Sequence, residues 1–329
     1  MEIDSTSGRE EAVVDWLHAF LDGRDWHVQR IPVAKGRDDL FATTQSEHTP
    51  RLTFSTHLDT VPPYIPPRLD GDVLHGRGAC DAKGIAAAMI AAAEQLRDDD
   101  RPVGLLFVVG EEVTHDGAHA ANEFAKALFG SAPPESRVLI DGEPTESTLA
   151  LGTKGAMRVF VRTSGVAAHS AYPQLGRSAN RALVKLLCEL DEIELPRDEL
   201  LGETSINVGV LSGGVADNVV SPLAEARLMV RLVTPPDEVW ALLQRWAGSR
   251  ATLEQGPTVE PMRLSVLPGF ATSVAAFATD LPALTNWGRP HLFGPGSIHV
   301  AHRDDEHVRI AELRAAVDAY VRLALAAIR

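Results

Sequence analysis

Apolar runs in the first half of the chain alternate with helical periodicity. Residues 51–56, 103–109 and 137–140 are short apolar runs that predict strands, and the Ala-, Ile- and Met-rich stretch 83–96 predicts a helix between the first two. This alternation over residues 1–154 predicts an α/β fold with a mostly parallel sheet flanked by helices. Each strand runs directly into ionisable residues: His57 and Asp59, then Glu111 and Glu112, then Asp141 and Glu143. Ligands of open α/β sheets gather at the carboxyl ends of the strands, so these positions describe one site.

A different rhythm begins near Met157. Residues 157–165 read as a strand, 177–190 as a helix, 206–214 and 223–233 as strands, 236–247 as a helix and 251–255 as a last strand. That order, β-α-β-β-α-β, is the split arrangement of ferredoxin-like domains. It predicts a smaller inserted domain over residues 157–257, with residues 1–156 and 258–329 forming the larger domain. On its return the chain is expected to form a helix near 272–281 and a short strand at 290–293.

Composition narrows the function class. The 329 residues are enough for two cores, and 45 acidic against 31 basic side chains leave a net charge of -14, which argues against a nucleic-acid partner. The longest apolar stretch, residues 84–93, is shorter than the ~20 residues needed to cross a bilayer. The start, MEIDSTSGREE, is acidic where a signal peptide is basic and then apolar, so a soluble cytoplasmic protein without membrane contact is expected. Cys80 and Cys188 form no CxxC pair, and Cys80 reads as a small packing residue.

Five segments carry chemistry: THLDTVP, GRGACDAKG, VVGEEVTHDGA, LIDGEPT and GPGSIHVAHRDDEHV. His57 and Asp59, spaced i, i+2 at a strand end, project to the same side and can act together. Taken together the segments offer a mixed set of imidazoles and carboxylates, which suits zinc, cobalt or manganese.

In these five segments, in order and over nearly the whole chain, the sequence resembles the co-catalytic zinc deacylases and peptidases. That family includes acetylornithine deacetylase, succinyl-diaminopimelate desuccinylase, aminoacylase and the glutamate-releasing carboxypeptidases. The resemblance implies two divalent ions, Zn2+ or Co2+, with His57 on one, Glu112 and His302 on the other and Asp81 bridging both. Glu143 resembles the remaining ligand, with Asp141 two positions earlier as the alternative. Asp59 is expected to accept the second ring N–H of His57 and fix its tautomer. Glu111 resembles the general base that takes a proton from a water between the metals.

The inserted domain resembles the family's lid and dimerisation domain. There His169 matches the histidine that reaches the active site of the other subunit to stabilise an oxyanion. Asn218 and Arg231 match the residues that grip a substrate carboxylate, and the backbone of Gly296 is expected to help, since glycine lets the chain approach a ligand closely. The implied activity is hydrolysis of the amide of an N-acyl amino acid in a homodimer. A dipeptidase or carboxypeptidase is the alternative, and an inactive binding protein a remote one. His115 and His119, His299, the histidines at 18, 27, 48, 75, 291 and 307, and the aspartates 98–100 are left to surface or supporting roles.

Overall fold

The computed structural model describes residues 1–44, 49–98 and 101–328, so His48, Asp99 and Asp100 lie outside the described residues. The chain divides into two compact units. The first comprises Met1–Leu151, Leu264–Ser273 and Thr279–Arg329, and the second Gly152–Arg263 and Val274–Ala278.

In chain order, and leaving short strands aside, the first unit begins with α1 (Glu11–Asp22), β1 (His27–Ala34), β2 (Arg37–Thr43) and β3 (Leu52–His57). It continues with α2 (Lys83–Asp98), β4 (Gly104–Val108), α3 (Asp116–Phe129) and β5 (Val138–Asp141). The second unit contains β6 (Gly155–Ser164), α4 (Ala179–Cys188), β7 (Ser205–Gly213), β8 (Leu223–Leu232), α5 (Pro236–Ala247) and β9 (Thr252–Val259). The first unit closes with β10 (Arg289–Leu292) and α6 (Ile310–Ala327).

The main sheet of the first unit has the order β1-β2-β4-β3-β5-β10. Strands β4, β3, β5 and β10 are parallel, and the hairpin β1–β2 joins antiparallel at the β4 edge. Burial on both faces explains why these strands read as unbroken apolar runs. On one face α1, α2 and α6 pack through Val14, Leu17, Leu21, Ile85, Met89, Tyr320 and Leu323 against Leu40, Phe54, Leu105, Phe107 and Ile140. Elsewhere in this unit α3 contributes Phe124 and Phe129 to an aromatic cluster with Phe41 and Trp287, the ring centroids 5.2–5.6 Å apart.

The second unit is an antiparallel sheet in the order β7-β8-β6-β9. Helices α4 and α5 cover one face, where Leu183, Leu186, Val239, Leu243 and Trp246 meet Met157, Val159, Val161, Leu228 and Val230. The opposite face carries the ion pairs of Arg162 with Glu225 and Glu254. Strand β7 is an edge.

One expected element is absent. Residues 272–281 hold a strand, Thr272–Ala275, and a short 3-10 turn, Leu281–Ala283, in place of a helix. The Ala-rich pattern is overridden because this stretch finds backbone partners: Leu149 N–H donates to Ala271 O at 2.8 Å and Lys154 N–H to Ala275 O at 3.0 Å. β-branched Thr272 and Val274 suit that extended conformation.

Candidate metal centre

Strand register brings the site together. In β3, His57 lies opposite Val108 of β4, and Ser55 lies opposite Asp141 of β5, so β3 and β4 end level and β5 ends two residues short of them. After β4 the chain turns at Gly110, with φ +79°, a left-handed conformation that glycine adopts without strain. The turn is closed by the amides of Thr114 and His115, which donate to Gly110 O at 3.0 and 2.8 Å. Asp81 lies in the turn just ahead of α2, and His302, at φ +66°, lies in the loop after β10.

Around Asp81 the geometry is specific. One carboxylate oxygen, Oδ1, is 3.0 Å from His57 Nε2, and the other, Oδ2, is 3.3 Å from His302 Nε2. His57 Nε2 also lies 3.9 Å from Glu143 Oε1, and His302 Nε2 lies 3.0 Å from the Glu112 carboxylate. Donor atoms of His57, Asp81 and Glu112 all lie within 4.8 Å of one another, as do those of His57, Glu111 and Glu143. Asp141 belongs to neither group among the described residues. Its own Oδ2 is buried without a hydrogen-bond partner, and burial pushes its carboxyl up to about 8.

The role expected of Asp59 is divided between two parts of the residue. His57 Nδ1 is 2.9 Å from the main-chain oxygen of Asp59 but 3.6 Å from its carboxylate, which is too long for a hydrogen bond. A ring N–H at Nδ1 therefore donates to the carbonyl. The Asp59 carboxylate instead accepts from Ser7 Oγ at 2.7 Å and from the amides of Glu111 and Glu112 at 3.1 and 3.3 Å. It holds the glutamate pair in place.

Charge is concentrated here. Burial, reinforced by the charge of Glu143, pushes the Glu111 carboxyl well above its ordinary range, and burial with the charge of Asp81 does the same to Glu143. Asp81 is itself buried, yet hydrogen bonds from His302 and His57 hold its carboxyl well below the usual range. Hydrogen bonds to Asp81 and Glu112 raise His302 to about 10. Acids crowded to this degree, with imidazole nitrogens directed among them, form a donor set that fits divalent cations: two dications offset the carboxylate charge that these protons otherwise offset.

Three residues that local patterns did not mark complete the surroundings. Asp280 Oδ1 lies 2.7 Å from His115 Nδ1, which is 4.0 Å from Glu111 Oε1. Arg77 and Glu306 form a buried pair behind Asp81. His115 precedes α3, so it shares no helix face with His119. His299 is exposed, whereas His291 is buried with Nδ1 2.7 Å from Ser265 O.

Gly296 stands beside Cys80, and a Cβ placed on it meets the Cys80 Cβ at 3.1 Å. In the second unit His169 and Asn218 are neighbours, His169 bridging to Val219 and Ser170 N–H donating to Asn218 O at 2.9 Å. Both side chains are exposed. Arg231 pairs with Ser205 and Ala156, whereas Leu223, nearest Asn218, pairs with Ser164. The eight residue steps from Leu223 to Arg231 along β8 span roughly 26 Å at ~3.3 Å each. A single unit does not bring Asn218 and Arg231 together.

Comparison with known proteins places this geometry in context. Residues 53–326 match peptidase family M20/M25/M40. A probable carboxypeptidase of Paracoccidioides brasiliensis is 36% identical over 100% of this chain and 84% of its own length. An M20 domain-containing protein of Schizosaccharomyces pombe is 34% identical over 99% of this chain and 82% of its own. Among solved structures, an M20 metallo-carboxypeptidase from Sulfolobus solfataricus superposes with a TM-score of 0.80 at 16% identity, covering 99% of this chain and 96% of that one. A di-peptidase from Saccharomyces cerevisiae gives 0.79 at 12% identity, covering 99% and 94%.

Proposed function

The chain belongs to peptidase family M20/M25/M40 and is a metallohydrolase of amide bonds, and on that premise we propose that it removes residues from short peptides using two divalent ions. The observation that carries the two-ion reading is Asp81, whose two oxygens face the Nε2 atoms of different histidines. His57, Asp81 and Glu143 would hold one ion; Asp81, Glu112 and His302 would hold the other. When bound, the ions acidify a water and polarise the substrate carbonyl. Asp59 fixes the glutamate turn with its carboxylate and the His57 tautomer with its main-chain oxygen.

Glu111 accepts the proton of the attacking water and returns it to the departing nitrogen. Its adjacency to Glu112 poses no conflict, because in the turn after β4 the two side chains have different neighbours: Glu112 lies 3.0 Å from His302 Nε2, while Glu111 groups with His57 and Glu143. His169 stabilises the developing oxyanion, and Asn218 and Arg231 hold the substrate carboxylate. The separation of the last two within one unit supports a homodimer in which His169 and Asn218 serve the partner's site. Strand β7 supports the same reading, since its edge exposes Val208, Val210 and Leu211 at 37%, 47% and 56%. The second unit is then a ferredoxin-like lid through which two copies pair.

Peptide substrates are proposed ahead of N-acyl amino acids of the acetylornithine type. A relative matching the whole chain at 36% identity is named a probable carboxypeptidase, which supports peptide substrates. A panel of dipeptides and tripeptides with free carboxyl termini, run beside N-acetylornithine and N-succinyl-diaminopimelate on metal-loaded protein, tests the choice. Release of a free amino acid from the peptides is expected. Release of acetate or succinate alone rejects it.

A further inference from the structure

We infer that the buried Arg77–Glu306 pair is a positioning device, which locks the turn presenting Asp81 to the loop presenting His302. Glu306 Oε1 accepts three main-chain N–H groups, from Gly78 at 2.9 Å and from Cys80 and Asp81 at 3.2 Å each. Those amides form the turn on which Asp81 is carried. The other oxygen, Oε2, accepts from Arg77 Nη1 at 2.6 Å. The two side chains are 1% and 0% exposed.

Arg77 then reaches the second ligand. Its Nη1 donates to Arg303 O at 3.1 Å and its Nη2 points at His302 O at 3.5 Å, while Nε donates to Pro63 O at 3.3 Å. A planar fork with several donors is suited to this, and an ammonium is not. Main-chain bonding repeats the connection, because Gly76 N–H donates to Glu306 O at 3.0 Å. Two segments 229 residues apart in sequence are thus held at fixed separation. That separation sets the 3.3 Å spacing of Asp81 Oδ2 and His302 Nε2, which a shared ion requires. Neither residue belongs to either proposed ligand set.

This inference rests on the two-ion reading, and one experiment separates their failures. Chelator-stripped wild type, Glu306→Gln and Arg77→Lys are titrated with Co2+, with visible absorption reporting coordination and thermal melting in chelator reporting the metal-free fold. Supporting partners of metal ligands typically contribute 10–100-fold in affinity, so both variants are expected to bind Co2+ at least about tenfold more weakly while melting cooperatively without metal. Co2+ affinity equal to wild type in a cooperatively folded variant overturns the inference, including the case in which only the metal-free melting temperature falls. If Glu306→Gln does not fold, Arg77→Lys decides, since it preserves the charge opposite Glu306 and loses the fork. Wild type that binds no Co2+ overturns the two-ion reading and this inference together.

Discussion

Replacing Glu111 by Gln separates proton transfer from metal binding. The side chain is 11% exposed and lies within 4.8 Å of donor atoms of His57 and Glu143, yet it belongs to neither proposed ligand set. Gln keeps its shape and removes its basicity. General-base catalysis is worth about 10²–10⁴-fold, so kcat should fall by that factor, or about 2.7–5.4 kcal/mol of barrier at ~1.36 kcal/mol per decade. In the metal-free fold, burial and the neighbouring Glu143, Asp280 and Glu112 force Glu111 to take up a proton, and Gln, neutral from the start, removes that cost and stabilises the metal-free fold. Steady-state kinetics on a dipeptide, metal content after dialysis and melting in chelator together form the assay. The expected variant is slow, fully metallated and at least as stable as wild type. A Glu111→Gln protein that keeps more than about a tenth of wild-type kcat, or that loses its metal, refutes the assignment.

Other positions give independent checks. His169→Ala should lower kcat about a hundredfold or more while the fold is retained, because the side chain is exposed; unchanged kcat removes it from the mechanism. Asp59→Ala strips partners from Ser7 and from two amides of the glutamate turn, so metal affinity should fall about 10–100-fold by calorimetry, and wild-type affinity contradicts the holding role. Asp39 is buried, with Oδ2 unpartnered, and burial raises its carboxyl well above 3.8. The folded state therefore binds a proton that the unfolded state has released, and stability is lost as pH rises from about 4 through the folded value. Asp39→Asn should melt higher than wild type at pH 8, with the gain narrowing towards pH 4; a pH-independent difference argues against it.

Where function depended on strand ends, the sequence was legible. THLD, GEEV and IDGEPT each follow an apolar run, and parallel register carries such ends to one place whatever the intervening chain does. Helix α5 matches its pattern residue for residue over 236–247, because Pro at its first position and an apolar stripe agree. Non-local contacts were not legible. Glu306 sits in a charged run, HRDDEH, where nothing local sets it apart from Asp304 and Asp305, and only its burial against Arg77 does. Asp280 and His291 owe their surroundings to His115 and Ser265, more than 20 residues away in each case. The alanines within 272–281 suggest a helix, but residues 272–275 form a strand, fixed by backbone partners that the sequence does not show. Helix α6 shows a broad Ala-rich face that packs closely against α2, a pattern with little of the contrast that marks an amphipathic helix.

The central claim is that side chains from distant segments hold a pair of cations around Asp81. Its most direct measurement is elemental analysis of chelator-stripped protein re-equilibrated with zinc, read together with peptide hydrolysis on the same samples. About two ions per chain should return, and turnover should vanish on stripping and recover with them. Undiminished hydrolysis by protein with no metal left would contradict the claim.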